Sequence, residues 1–428
     1  MPDPIALLPI TAELPIERRR DEPNAAAVGF VLQLGRALHT HGHSAGRLED
    51  ILGVTADRLG LPGHQFFSTP TSIMAAFGPV TRQRTYLLRV EPGDVNLGKL
   101  AELERVALDV ARGDCSPEQG SAAIERIAGA PPSYGPGLMT IASGIASGAA
   151  CVFFGGGVRD ILVAITLGLG LWVFWLFSRA HARLDRVFES LASFLVSAAA
   201  IGLAHVMGPV SPLVSTLSGL IILLPGFTLT TAMSELATRH LASGTARLSG
   251  AFITFVGITL GVAVGTQVGL RVFGAPPVLT PPPLPTWVGL LALLVAPVSF
   301  AVLLRAELRD MPWIVLTGAL GVVGGRLGAA AFGPELGAFA GALAVALASS
   351  AYERVLKRPA AVVLVPGILQ LVPGSVGFRS LLSLMDRDAL TGIQTAFSMI
   401  MTAIALVAGL LIASVIVPEA RIGRRALH

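Results

Sequence analysis

Two Pro-Gly dipeptides lie inside long apolar segments of the chain, at Pro225-Gly226 and at Pro373-Gly374. Proline has no backbone N–H and clashes with the carbonyl four residues earlier, and glycine adds freedom to turn, so each pair predicts a broken helix. The half-helix after a break has free N–H groups that suit a carboxylate, and the half before it has free carbonyls that suit an ammonium. The breaks therefore predict a site for a small zwitterion.

The two Pro-Gly pairs belong to an internal repeat. A second small-residue signal follows each glycine by 18 residues, at Ser243-Gly244 and at Thr391-Gly392, and both pairs of signals are offset by 148 residues. The pair Arg159-Asp160 likewise recurs as Arg309-Asp310 with an offset of 150. Paired breaks in two halves of a membrane chain are typical of a transporter's binding site. The alternative is that each break is a packing kink whose backbone groups neighbouring helices satisfy.

Polar side chains close to the two breaks are the candidate ligands for a hydroxyl or an amine. They are Thr228, Thr230 and Thr231 after the first break, and Gln370 and Ser375 around the second. The predicted substrate site therefore consists of these five residues, the two Pro-Gly pairs and Arg379.

Charged residues inside the apolar segments are the other candidates. Arg379 lies six residues beyond Pro373, ~9 Å along a helix, and is predicted either to bind a carboxylate or to extend to the outer surface. Glu235 is ~15 Å beyond Pro225 and is predicted either to carry a proton or to pair with Arg239 or Arg247. Asp160 and Asp310 are expected to cap the helices that they precede.

The composition indicates an integral membrane protein. The chain has 428 residues, of which 53% are hydrophobic and 14% charged, and its mean hydropathy is +0.71. Soluble domains carry about 25% charged residues. The net charge of +4 comes mostly from arginines in short loops, which indicates topology rather than nucleic-acid binding. Two cysteines suggest neither a disulfide framework nor a zinc site. We predict no secretory signal peptide, no P-loop, no metal and no cofactor.

The predicted fold is a polytopic α-helical membrane protein with about ten transmembrane helices in a five-plus-five inverted repeat, after a small α+β domain. The predicted divisions are a disordered tail (1–22), a cytoplasmic α+β domain (23–136), a first repeat (137–275), a Pro-rich linker (276–285), a second repeat (286–418) and a basic tail (419–428). The predicted spans lie near 137–157, 161–178, 190–208, 213–237, 249–273, 286–304, 312–332, 335–351, 360–384 and 392–417. An odd number of spans in each half inverts the second copy.

The α+β domain is predicted to contain two helices, three strands and two more helices. Ser116-Pro117 is a good N-cap and first helical residue for the last of these helices. Three histidines, His39, His41 and His43, resemble a metal cluster, but their alternating spacing and Gly42 favour a solvated helix end instead.

Lysine and arginine in the loops predict the orientation. If the N-terminus is cytoplasmic, the inside ends hold thirteen of these residues and the outside ends five. The inside set is Arg179, Arg183, Arg186, Arg239, Arg247, Arg305, Arg309, Arg354, Lys357, Arg358, Arg421, Arg424 and Arg425, and the outside set is Arg159, Arg271, Arg326, Arg379 and Arg387. Both termini are therefore expected in the cytoplasm.

Several short stretches, in the same order, resemble the threonine/serine exporter family. They are His41 to Glu49, Pro70 to Ile73, Arg89-Val90, Leu223 to Leu229, Glu235-Leu236, Ser243 to Arg247, Leu371 to Gly374 and Phe378-Arg379. The resemblance covers nearly the whole chain from about residue 25. It implies about ten spans, a cytoplasmic N-terminal domain, and export of threonine and serine driven by the proton gradient, with both halves joined in one chain.

The sequence therefore predicts a transporter and not an enzyme: a secondary, proton-coupled exporter of small amino acids in a bacterial plasma membrane. Its expected partners are the substrate, protons and the lipid bilayer, without nucleic acid, and a homo-oligomer is left open. One alternative is transport of another small metabolite, a dicarboxylate or a dipeptide. The other is a membrane-anchored cytoplasmic enzyme or sensor, which a duplicated, broken-helix architecture disfavours.

Overall fold

The computed structural model describes residues 24–208, 210–277, 284–371, 374–385 and 388–417, with the backbone alone for a few of them, Ser375 included. Both predicted tails, most of the predicted Pro-rich linker, Pro373 and the Ser375 side chain lie outside the described part. The described elements are α1 to α4 with three strands, which we call the N-terminal region, followed by thirteen further α-helices.

The N-terminal region has the element order that the sequence patterns predict. Its elements are α1 (Ala25–Thr40), α2 (Ala45–Arg58), β1 (Gln65–Thr69), β2 (Ser72–Phe77), β3 (Arg84–Arg89), α3 (Leu97–Arg112) and α4 (Pro117–Gly129). Local chemistry sets the helix ends: Asn96 accepts the Lys99 amide at the start of α3, and Ser116 forms a capping box with Gln119 at the start of α4. Gly113 ends α3 in the left-handed conformation.

The three strands form one antiparallel sheet in the order β1-β2-β3. Ile73 and Ala75 on β2 are buried beneath the helices, and their apolar core includes Phe30 of α1 and Leu48 of α2. The same core continues into the membrane part of the chain, where it includes Ala301, Ala306, Ile314, Tyr352, Val362 and Val363. The N-terminal region is therefore packed directly against the helices that follow.

Eight of the described helices are long and apolar enough to cross a membrane. They are α5 (Pro136–Phe153), α6 (Val158–Arg179), α8 (Phe188–Met207), α11 (Leu241–Phe273), α12 (Thr286–Leu303), α13 (Met311–Phe332), α14 (Pro334–Leu356) and α17 (Ala389–Ile416). A short helix, α7 (Ala182–Asp185), connects α6 to α8. The mean hydropathy of these spans and the helical content make the chain a polytopic helical membrane protein.

The fourth and ninth predicted spans are not continuous helices. The fourth is divided into α9 (Pro212–Gly219) and α10 (Gly226–Ala237), and the ninth into α15 (Ala361–Leu369) and α16 (Gly374–Met385). Each second half-helix begins at the glycine of a Pro-Gly pair, which is where the missing amide and the steric clash of proline end a helix. The predicted breaks are present, and each one produces two short helices.

Glycines allow two pairs of long helices to approach closely. A methyl group built on Gly261, Gly265 or Gly269 of α11 would collide with α8, in two of the three cases with its backbone. Gly328 and Gly337 make a similar close approach between α13 and α14. Small residues four apart are the usual means of bringing transmembrane helices into contact.

Helices α6 and α13 begin on different sides of the molecule. Arg179, at the end of α6, pairs with Asp94 of the N-terminal region at 3.0 Å, so the start of α6 at Val158 lies about 33 Å away along the helix axis. We call that side the distal side. Just before α13, in contrast, the Leu304 carbonyl accepts the Leu97 amide at 2.9 Å, so α13 begins beside the N-terminal region.

The divided helices also run in opposite directions. α9 begins on the distal side, because the Ser211 amide donates to Asp160 near the start of α6, and α10 ends at the N-terminal region, because Glu235 accepts the Ala45 amide. α15 begins beside the N-terminal region, where Val362 joins its core. α9 and α15 therefore begin on opposite sides of the molecule, and the break between α9 and α10 lies between the two sides.

Candidate functional site

The two Pro-Gly breaks lie against one another. A methyl group built on Gly374 would be 3.4 Å from the Gly226 Cα, 3.4 Å from the Leu224 Cβ and 3.6 Å from the Gly226 amide nitrogen. Both glycines are the first residues of their half-helices, α10 and α16. The amino-terminal ends of two half-helices, each with a partial positive charge, therefore converge at this contact.

The first break exposes backbone amides. The Gly226 amide bonds the Leu224 carbonyl at 2.8 Å, and the Leu229 amide bonds the Pro225 carbonyl at 2.9 Å. The amides of Phe227 and Thr228 donate to no acceptor within the described residues. Free first-turn amides are what an uncapped helix end provides, and they suit a carboxylate oxygen.

The three threonines after the first break differ in what their hydroxyls contact. Thr230 is buried, and its hydroxyl donates back to the Gly226 carbonyl at 3.2 Å, so it is occupied within its own helix. Thr228 and Thr231 are half-buried, and their hydroxyls have no hydrogen bond in the described chain. These two hydroxyls are available to a ligand.

Gln370 precedes the second break and has a buried amide group without a partner. Neither its Oε1 nor its Nε2 makes a hydrogen bond among the described residues. The side chain packs against Gly318 of α13, beside Pro297 of α12. A buried polar group left unpaired costs about 1–3 kcal/mol, so such a group is expected to meet a ligand or water. Pro373 and the Ser375 side chain are outside the description.

Arg379 does not converge on this contact. It is exposed, and its guanidinium carbon lies 5.6 Å from the ring centre of Phe154, the residue that follows α5 at its distal end. This position fits a side chain that extends to the surface on the distal side and stacks there on an aromatic ring.

Glu235 is buried at the end of α10 and has two partners. Both carboxylate oxygens accept the Arg247 Nε at 3.1 Å, and Oε1 also accepts the Ala45 amide at 2.9 Å. Of the two predicted roles, the geometry gives the pairing with Arg247, while Arg239 has no contact with Glu235 among the described interactions. The loss of Arg247 would leave the buried Glu235 charge uncompensated, so this pair is expected to hold the end of α10 against α11.

Sequence comparison decides the family of this broken-helix protein. A threonine/serine exporter model matches residues 29–269, and a second model, described as "Threonine/Serine exporter, ThrE", matches residues 289–416. The chain belongs to the threonine/serine exporter family. The resemblance noted in the sequence is thereby confirmed across both halves.

Individual relatives of this threonine/serine exporter family member come from bacteria and yeasts. A "Probable threonine/serine exporter" of Mycobacterium tuberculosis is 27% identical over 81% of this chain and 66% of its own length. The "Threonine/serine exporter" of Corynebacterium glutamicum is 23% identical over 74% of this chain and 67% of its own. The "Pheromone-regulated membrane protein 10" of Debaryomyces hansenii is 26% identical over 86% of this chain and 37% of its own.

The chain thus spans 66% of the mycobacterial relative's length and 37% of the yeast relative's length. No solved structure matches it. The threonine/serine exporter family and its two bacterial relatives are named as transporters, not as enzymes. The chain is accordingly a multi-pass membrane protein of an amino-acid exporter family.

In this exporter family member, the two Arg-Asp repeats hold helix ends together. Asp160 accepts the Gly157 amide at 2.8 Å as part of a cap, and also the Ser211 amide at 2.6 Å, so it ties α6 to α9. Asp310 stands at the N-cap position of α13, but its side chain makes no capping bond, contrary to expectation. It accepts the Tyr352 hydroxyl at 2.7 Å and pairs with Arg358 at 3.0 Å.

The three histidines lie in different surroundings, and His39 and His43 are buried, so the predicted solvated helix end is wrong for these two. The His39 Nε2 lies 2.8 Å from the Thr69 carbonyl, and the His43 Nε2 lies 3.0 Å from Glu104. Burial, together with the positive charge of Lys99, lowers the pKa of His41 to about 4. Within the described residues, no group of three metal-ligating side chains could hold an ion.

Sequence reasoning missed the contact surface on α2. The family stretch from His41 to Glu49 contains the residues that touch the membrane helices, including Ala45 and Gly46. Ala45 donates to Glu235, and a methyl group on Gly46 would lie 2.9 Å from the His240 ring. The signal in the sequence was the pair of small residues Ala45 and Gly46 at a helix start, where another segment of the chain can approach closely.

Proposed function

We propose that this chain exports small hydroxylated amino acids, threonine or serine, across a bacterial plasma membrane, and that the substrate binds where the two Pro-Gly breaks meet. The observation that carries the proposal is the contact between Gly374 and Gly226, which joins one break from each half of the chain. Irregular backbone at membrane depth is tolerated where it lines a binding site.

The polar groups that lie close to the two breaks in the sequence support a hydroxylated zwitterion as the substrate. The free amides of Phe227 and Thr228 suit the substrate carboxylate, and the hydroxyls of Thr228 and Thr231 suit its side-chain hydroxyl. The unpaired amide of Gln370 offers both a donor and an acceptor. Pro373 and Ser375 are included in the proposed site because they lie at the second break in the sequence.

An inverted repeat is part of the proposal, and the helix directions support it. α6 begins on the distal side and α13 beside the N-terminal region, and the two divided helices run in opposite directions. In such a repeat, one half moves against the other around a fixed central site. Arg179 and Arg305 both pair with Asp94, which supports placing the N-terminal region on the arginine-rich, cytoplasmic side.

Proton coupling is proposed from the family resemblance, with Glu235 as its candidate carboxylate. In the described conformation, both oxygens of Glu235 accept the Arg247 Nε. Uptake of a proton would weaken this pair, which would link protonation to a movement of α10 against α11.

A dicarboxylate is the competing substrate that one observation favours. Two half-helix amino-terminal ends meet at the site, and two positive ends suit two negative groups. Threonine, serine and a dicarboxylate are therefore compared in the same assay.

The test is efflux from proteoliposomes loaded with labelled substrate, with an imposed pH gradient. Gly374→Ala places its methyl group in ordinary contact at 3.4 Å and is expected to transport within about twofold of the wild type. Gly374→Leu must displace the first break and is expected to lose at least tenfold. Gly170→Leu is the matched control, because Gly170 lies in α6 with nothing within 4 Å.

Threonine or serine efflux that Gly374→Leu loses and Gly170→Leu keeps would support the proposal. Equal losses in both leucine variants would reject the site. Dicarboxylate flux without threonine or serine flux, from folded wild type, would reject the substrate and leave the site standing.

A further inference from the structure

The first turns of α2 touch both halves of the membrane part. On the first half, the Ala45 amide donates to Glu235 at 2.9 Å, and Glu49 lies 3.5 Å from the His240 Nε2. On the second half, Arg47 lies 3.6 Å from Glu353 near the end of α14. One short segment, residues 45–49, therefore bridges the two halves.

The contact on the first half is made with the half-helix that starts at the first break. α10 has twelve residues and ends at Ala237, so it forms a rigid rod about 18 Å long between Gly226 and the N-terminal region. Glu235 lies at the far end of this rod, and His240 follows it, immediately before α11. A movement of α10 about the break must therefore move these residues relative to α2.

The contact on the second half is anchored within the N-terminal region. Arg47 lies 3.3 Å from Glu104, a fully buried residue of α3, and His43 lies 3.0 Å from the same carboxylate. Burial by itself would raise the pKa of the Glu104 carboxyl, but Arg47 and His43 outweigh it, and the net pKa is lowered. Glu104 therefore stays charged and keeps Arg47 in place against Glu353.

We propose that α2 of the N-terminal region is the transporter's inner gate: residues 45–49 hold α10 and α14 together and keep the site closed on that side until they release. This inference rests on the proposed function, since it assumes that the two halves move apart during transport. It assigns the N-terminal region a mechanical role, in which its contacts with Glu235 and Glu353 must break once in every cycle.

The first experiment locks the gate. In full-length protein carrying Cys115→Ser, the pair Gly46→Cys and His240→Cys is joined with a short, reducible thiol crosslinker. The two positions are close, since a methyl group on Gly46 would lie 2.9 Å from the His240 ring. Crosslinking is expected to lower threonine efflux from proteoliposomes at least tenfold, and reduction is expected to restore it.

The matched control is a crosslink that leaves the gate free. Phe67 and Met74 face each other across β1 and β2 and are both exposed, so the pair Phe67→Cys and Met74→Cys joins two strands of the same sheet. This crosslink is expected to leave efflux within about twofold. Full efflux after crosslinking of residues 46 and 240 would overturn the gate.

A second measurement does not depend on flux and therefore separates the gate from the proposed function. Ser234→Cys, on α10, is labelled with a membrane-impermeant maleimide applied from the side of the N-terminal region. When Glu235→Gln and Arg47→Ala are added to Ser234→Cys, the labelling rate is expected to rise at least fivefold over that of Ser234→Cys alone. An unchanged rate would refute the gate, whereas faster labelling without any amino-acid flux would refute only the substrate.

Discussion

Asp160 provides the sharpest stability prediction, because a single buried carboxylate joins the starts of two helices. It is 1% exposed and accepts the Gly157 amide at 2.8 Å and the Ser211 amide at 2.6 Å, with the Ser215 hydroxyl at 3.4 Å. Asp160→Ala leaves two backbone amides without acceptors, each costing about 1–3 kcal/mol. The expected loss in the free energy of unfolding is therefore about 2–6 kcal/mol.

The assay is thermal unfolding of the purified protein in detergent, followed by tryptophan fluorescence, since α6 carries Trp172 and Trp175. A loss of this size is expected to lower Tm by roughly 5 °C or more. Asp160→Asn keeps one acceptor oxygen and is expected to fall between Asp160→Ala and the wild type.

The control is Asp388→Asn, because Asp388 is exposed and caps α17 through the Thr391 amide, and asparagine caps as well as aspartate. It is expected to leave Tm unchanged. If Asp160→Ala has the same Tm as Asp388→Asn, the two amides at the starts of α6 and α9 find other acceptors and the reasoning is wrong.

Three further predictions concern pH, an unpaired amide and helix packing. Burial lowers the pKa of His41 from 6.5 to about 4 in the folded protein, so the free energy of unfolding falls as pH drops from 6.5 towards 4, by less than the full shift implies because the side chain is partly exposed; His41→Gln should reduce the pH dependence of the denaturation midpoint over this range. Gln370→Leu removes a buried unpaired amide, so Tm should hold or rise while threonine efflux falls; a large drop in Tm would contradict the absence of partners. Gly265→Leu forces α11 away from the α8 backbone and should lower the free energy of unfolding by about 1–3 kcal/mol, seen as a lower Tm. Gly250→Leu on the same helix, where nothing lies within 4 Å, should leave Tm unchanged.

The sequence predicted the broken helices because the cause of a break is local. Proline and glycine act on the backbone within one helical turn, so Pro225-Gly226 identified the start of α10 without knowledge of any neighbour. The contact between Gly226 and Gly374 is not local, and only the repeat offset hinted that these two residues would meet.

The roles of the buried carboxylates were harder to predict, because their partners are distant in the chain. Glu235 accepts an amide from a residue 190 positions earlier, and no periodicity encodes that pairing. Asp310 resembled a cap because it precedes a helix, yet its partners are Tyr352 and Arg358, more than 40 residues later. Apolar pattern and local propensity predict helices, but not which buried charge meets which partner.

The meeting of α10 and α16 at their amino-terminal ends also bears on which ions can pass. Two positive dipole ends facing one point raise the electrostatic potential there, and a bare cation approaching the contact is repelled. Such a barrier stops a hydronium or sodium ion from leaking through an unoccupied centre and discharging the membrane potential. If export is coupled to protons, as we propose, the coupling proton would then take a route separate from the one taken by the amino acid.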